Sequence, residues 1–175
     1  MDGNIHAEKK IMMTQKLLDL AGIGRERLHL AWISSAEAQR FTEVAYAVID
    51  SIKKQGRFNV NAFKMELAAA RMAVESATLR WLTGKEVSMT TRGDVYGRKW
   101  DVEEYQATIY SILEREFQKN LIFLAIKEGC VNVRDISNKI GMDLLQVSYL
   151  LADLEQTGKV EFTGMEGHKP IFAAL

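Results

Sequence analysis

A chain of 175 residues, 47% hydrophobic and 26% charged, has the composition of one globular domain or two small ones, not of a disordered segment. Its 23 Lys+Arg against 23 Asp+Glu leave no basic excess of the kind a nucleic-acid binder carries, and 3 His with 1 Cys are too few for the usual self-contained zinc or iron–sulfur ligand sets. The apolar runs are too short to cross a membrane, the first residues lack the shape of a secretion signal, and a single cysteine fits a reducing cytoplasm.

Three segments are expected, at 1–57, 58–117 and 118–175. In the first, Ala7, Ile11, Thr14, Leu18 and Ala21 recur at helical spacing until Gly22. Leu28–Ile33 is a short, mostly apolar run that predicts a buried strand. Ser34 and Glu37 have capping-box spacing and predict the start of a second helix, with Phe41, Val44, Ala45, Val48, Ile49 and Ile52 as its apolar stripe. A lone strand leaves both edges unpaired, so Leu28, Leu30 and Trp32 are the candidate partner interface. In the second segment, Phe63, Leu67, Ala70, Val74, Ala77 and Trp81 predict one long helix stopped by Gly84. An irregular connection over 85–100 should follow, and then a helix capped by Asp101 and carrying Tyr105, Ile109 and Ile112.

The third segment begins with a helix through Leu121, Leu124 and Ala125 that ends at Gly129. It continues with a short helix over 133–140 ended by Gly141, and a helix capped by Asp143 and carrying Leu144, Val147, Leu150, Leu151 and Leu154. Val160–Thr163 and Ile171–Ala173 bracket a turn and predict a β-hairpin. Three helices and a hairpin are the layout of a winged helix. The expected fold class is therefore mainly α with minor β (α+β): a truncated α/β helix–strand–helix piece, a helical scaffold and a C-terminal winged helix. The charges oppose a DNA-binding use, since 118–175 has six basic and seven acidic residues and 143–157 contains no Lys or Arg.

No catalytic, cofactor-binding or metal site emerges from the residues. His6, His29 and His168 have no spacing that suggests a shared site, and Cys130 reads as a small hydrophobe at a helix end. Gly93-Asp94-Val95-Tyr96-Gly97-Arg98 lacks the ending of a phosphate loop and reads as a structural turn. Trp32, Trp81 and Trp100 are expected as core or interface anchors.

The stretches Asp2–Lys10, Leu17–Leu28 and Trp32–Glu37 with Phe41 resemble the C-terminal part of the delta subunit of methyl-viologen-reducing hydrogenase, a family also found fused to heterodisulfide reductase. Arg80–Lys85 and Asp94–Gly97, with the winged-helix end, resemble the tail that follows this domain in some of the fused reductase chains. The resemblance implies electron transfer in an oxidoreductase complex through a cysteine-bound two-iron two-sulfur cluster, with ligands in the portion before the Gly3-Asn4 motif. Cys130 alone cannot supply that cluster, so no cofactor is expected in this chain. The expected function is a non-catalytic, cytoplasmic accessory subunit or domain of a hydrogenase/heterodisulfide-reductase-type complex. Its partner would be an iron–sulfur or flavin subunit, or a second copy in a homodimer, with no membrane and no nucleic acid. The alternative is a winged-helix DNA-binding transcriptional regulator.

Overall fold

The computed structural model describes residues 2–175 and is mainly helical, with one two-stranded antiparallel sheet at the C-terminal end. The chain forms two compact units. One comprises the residues through Lys64 together with Lys85–Tyr110; the other comprises Met65–Gly84 and Ser111–Leu175.

The first unit opens with α1 (Asp2–Leu20). Its inward side is marked by buried Leu17 and, just past its end, Ala21; the partly buried Lys9 and Met13 extend the same i, i+4 row. The inward row is therefore displaced from the Ala7–Ile11–Leu18 set expected from sequence. A charge sits in that row because the Lys9 ammonium pairs with the Glu86 carboxylate, which is itself buried. The pair joins residues 77 positions apart. Removing one partner would strand the other's charge in a low dielectric.

At the end of α1 the Ile23 N–H reaches back to the Leu18 carbonyl (2.9 Å) and the Gly22 N–H to that of Asp19 (2.9 Å). This is a Schellman exit, and Gly22 supplies the left-handed backbone it needs at φ 70°. A 3-10 turn at Arg25–Arg27 follows. The strand expected at Leu28–Ile33 does not form: these residues lie in irregular backbone outside any sheet, with Leu30 and Trp32 exposed. The reason is physical. A strand is defined by the edge it pairs with, and the only strands among the described residues pair with each other at the far end of the chain. The second helix, α2 (Ala38–Gln55), starts later than the expected Ser34 cap. Glu37 does accept the Ser34 N–H (2.7 Å), but Ser34 Oγ meets the Ala36 N–H (3.4 Å), so the box closes a turn ahead of the helix.

A 3-10 turn at Val60–Phe63 leads into α3 (Lys64–Glu75) and α4 (Ala77–Thr91). The single long helix expected here breaks at Ser76, whose hydroxyl accepts the Leu79 N–H (3.3 Å) and restarts the chain as α4. Gly84 does not stop it. The helix runs through Gly84 to Thr91, so the irregular connection is limited to 92–101. Next, α5 (Val102–Lys127) begins at Asp101, which accepts the Glu103 and Glu104 N–H groups (2.8 and 3.1 Å). It has no internal glycine or proline, and it continues without a break where two helices were expected.

In the second unit, the end of α5 is followed by α6 (Val133–Ile140), α7 (Leu144–Gln156), β1 (Val160–Glu166) and β2 (Lys169–Ala174). Asn132 caps α6 through the Asp135 N–H (3.0 Å), and Asp143 caps α7 through the Leu145 and Gln146 N–H groups (2.9 and 3.2 Å). Buried Ile122, Ala125, Ile136, Val147, Leu151, Leu154 and Val160 form one core, with Cys130 and Phe172 packed against it. The Phe172 N–H donates to the Val131 carbonyl (2.8 Å), which ties the hairpin to the link before α6. This is a winged-helix-like element.

Two substitutions test these placements. Leu154→Ala removes a fully buried side chain and should cost ~2–5 kcal/mol in a urea melt. Gly84→Ala should stabilise the chain by ~0.5–1 kcal/mol, because a Cβ there meets nothing within 4 Å and the glycine lies inside a helix. Destabilisation by Gly84→Ala would contradict the unbroken α4.

Candidate partner-docking surface

Around the expected interface, polar contacts fix the chain up to Leu28 and resume at the Ser34–Glu37 turn. Asp19 takes the Arg25 backbone N–H on one oxygen (2.8 Å) and the Arg25 guanidinium on the other (2.7 Å through Nε, 2.5 Å through Nη2). The Arg25 side-chain hydrogen bond, helped by the Arg25 backbone N–H and charge, holds the Asp19 carboxyl below its usual 3.8 against the opposing effect of burial. The same bond raises the Arg25 pKa. Next door, Arg27 donates to the Gln55 and Gly56 carbonyls (3.3 and 3.5 Å) and lies 5.1 Å over the Phe58 ring. Phe58 in turn stacks on Phe63. Gln55 Nε2 donates to the Glu26 carbonyl (2.9 Å), and Gln15 Nε2 donates to that of Leu28 (2.7 Å). The loop after α1 is thus braced from both helices of the segment.

Beyond Leu28 the residues through Trp32 are exposed and Ile33 is partly buried. Leu28 is partly buried, while Leu30 and Trp32 are 39% and 43% exposed. On α2 no residue is fully buried: Val44, Ala45 and Val48 of the stripe are partly buried, while Phe41, Ile49 and Ile52 are 63%, 45% and 49% exposed. The spacing of the stripe marks an apolar face, but spacing carries no sign of whether that face is covered. An amphipathic helix with its apolar side in water forgoes about 25 cal/mol for each Å² it could have buried. The tryptophans expected as anchors, Trp32, Trp81 and Trp100, are all substantially exposed.

Cys130 is the only cysteine, and it packs against the winged-helix core. Among the described residues no three His, Cys, Asp or Glu side chains are placed to hold a metal ion. No helix among them is long and apolar enough to cross a membrane.

The outward face of α7 presents Leu144, Leu145 and Tyr149, and the helix has no Lys or Arg. At its base Asp153 binds Arg115 (3.2 Å) and Lys119 (3.3 Å). Burial pushes the Asp153 carboxyl up, but the hydrogen bonds and charges of Lys119 and Arg115 together outweigh it and leave it below the ordinary range. Two nearby cations are therefore committed to a carboxylate on this helix.

Residues 1–56 match the family described as methyl-viologen-reducing hydrogenase, delta subunit. The chain is 41% identical over 54 residues to the vhu iron-sulfur subunit of F420-non-reducing hydrogenase from Methanococcus maripaludis, covering 31% of this chain and 40% of the relative. It is 39% identical over 57 residues to the F420-non-reducing hydrogenase iron-sulfur subunit of Archaeoglobus profundus, covering 33% and 42%. It is 33% identical over 54 residues to the vhu iron-sulfur subunit of Methanocaldococcus jannaschii, covering 31% and 40%. The chain spans about two fifths of the length of the curated relatives it matches. No solved structure matches it. The family resemblance thus rests on the segment that carries the uncovered stripe.

Two outcomes follow from this geometry. In an NMR titration Asp19 should ionise with a midpoint below 3.8, and Arg25→Ala should return it toward that value. Because the folded carboxyl is the more acidic form, the stabilisation from this clamp is complete above the ordinary Asp pKa and is lost as pH falls through the lower folded value. Phe41→Ser should change the free chain's stability by less than ~0.5 kcal/mol, since the ring is already largely in water.

Proposed function

We propose that this chain is a non-catalytic accessory subunit or domain of a hydrogenase/heterodisulfide-reductase-type electron-transfer complex in the cytoplasm. The observation that carries the reading is the uncovered apolar face of the delta-subunit-like segment: Leu30 and Trp32 in the loop, and Phe41, Ile49 and Ile52 on α2. The relatives that share this segment bear the name iron-sulfur subunit, whereas this chain's single cysteine cannot provide four thiolates. A cluster would then be held outside these 175 residues. In this reading an iron–sulfur or flavin subunit of the complex lies against Leu28, Leu30 and Trp32 and the α2 stripe, and the present chain positions it.

The winged helix serves as scaffold or second contact surface. A regulator reading α7 into a DNA groove would need cations on that helix for phosphate, and it has none. Salt-dependent binding to duplex DNA at physiological ionic strength would favour the regulator.

The test is anaerobic purification of the chain from its native cell, with iron, acid-labile sulfide and flavin assayed on the same fraction. The expected result is co-elution with a cysteine-bearing iron–sulfur or flavin subunit, and loss of that partner on Trp32→Ala/Phe41→Ser. Elution of the chain alone would overturn the reading. So would stoichiometric iron and sulfide bound to the isolated chain.

A further inference from the structure

Residues 92–100, between α4 and α5, carry the most exposed large apolar pair among the described residues: Val95 is 93% exposed and Tyr96 80% exposed. An ordinary solvent loop with such a tip is expected to be polar and loosely held. This one is tightly braced. The Asp94 N–H donates to the Arg98 carbonyl (2.9 Å) and the Gly97 N–H donates to the Asp94 carbonyl (3.0 Å). The Asp94 carboxylate accepts the backbone N–H groups of Tyr96 and Arg98 (2.9 Å each), and its other oxygen takes the Arg98 guanidinium (2.8 Å). The guanidinium also lies 5.2 Å over the Tyr96 ring and holds it at the tip. At the base, Gly93 has φ 92°, and a Cβ there would stand 2.9 Å from the Arg98 carbonyl oxygen. The Trp100 N–H donates to the Met89 carbonyl (3.2 Å), and its ring packs edge-on against Tyr105.

Rigid presentation of two apolar side chains in water does nothing for folding. It lowers the ordering cost of a binding event, since the tip loses little freedom when it docks. The charges beside the tip define what it fits. Arg98 is neutralised by Asp94, but Arg92 and Lys99 are exposed and make no ion pair among the described residues. The tip is thus an apolar plug flanked by two uncommitted cations. Tyr is a frequent centre of tight interfaces, and a cationic rim steers a protein toward carboxylates. With only two such cations and an aliphatic residue beside the ring, the tip is poorly suited to a nucleic-acid backbone.

We propose that the Asp94–Arg98 turn is a preformed docking element that inserts Val95 and Tyr96 into an apolar pocket rimmed by Asp or Glu on a partner protein. The proposal is independent of the α2 face and of the electron-transfer reading.

The full-length chain carrying Tyr96→p-benzoylphenylalanine is irradiated in extract of its native cell, and the adduct is mapped by mass spectrometry. The purified partner is then titrated calorimetrically with wild type, Tyr96→Ala and Arg92→Glu/Lys99→Glu. The expected adduct lies on a protein, at apolar residues flanked by carboxylates. Tyr96→Ala should weaken binding at least tenfold at every salt concentration. The charge reversal should weaken it at least tenfold at low salt and less at high salt. All variants should melt as wild type, because the substituted side chains are exposed. The proposal is overturned if no adduct forms, if the adduct is on nucleic acid or a second copy of this chain, or if the partner binds the variants as well as wild type.

Discussion

An amphipathic helix is stable in water only when something covers its apolar side, and α2 has no buried residue with which to meet that requirement. Much of what is distinctive in the first segment follows from this constraint. The braces around it, Asp19 to Arg25, Arg27 over Phe58, and Gln55 to the Glu26 carbonyl, fix the loop before α2 and the chain just beyond its C-terminal end without using its stripe. Phe41, Ile49 and Ile52 stay exposed beside them. Helix propensity and local bonds are weak substitutes for tertiary burial, so a partner that covers Phe41, Ile49 and Ile52 would add the stabilisation the helix lacks.

The winged-helix-like element solves its own burial problem. Its core is closed by residues from α5, α6, α7 and β1, and both short helices are capped by side chains at their first turn. With the core satisfied, the outward side of α7 is free to serve other contacts. Its exposed residues include Leu144, Leu145 and Tyr149, and the nearby Arg115 and Lys119 are held by Asp153. That surface suits protein contact better than a phosphate backbone. Fold alone does not fix the use of such a surface; its side chains do.

The parts of this architecture that are legible in the sequence are those set by neighbours along the chain. The Asp143 cap, the Gly141 exit and the short spacing of Leu150, Leu151 and Leu154 act within a few turns, and the structure follows them. Where the outcome depends on distant partners, local patterns mislead. Leu28–Ile33 has the composition of a strand, but a strand needs a paired edge and this run pairs with none among the described residues. Gly84 resembles a helix stop, yet it costs a helix only about 1 kcal/mol, which the surrounding turns of α4 outweigh. The Lys9–Glu86 pair is invisible to local pattern, since its halves are 77 residues apart and neither stands out from its neighbours. At the candidate surface the apolar spacing of α2 is plain but its exposure is not, because periodicity identifies a contact face and not what it contacts. In the Asp94–Arg98 turn the glycines and Asp94 signal the geometry but not the display of Val95 and Tyr96.

We propose that the Leu28–Ile52 region is a face completed by another subunit. Amide hydrogen exchange measured on the chain alone and on the complex purified with its iron–sulfur or flavin partner tests this most directly, because it reports protection residue by residue. Exchange across the Leu28–Ile33 loop and α2 should slow at least tenfold in the complex while the winged-helix core is unchanged. Equal exchange in that region with and without the partner, with protection appearing elsewhere, would contradict it.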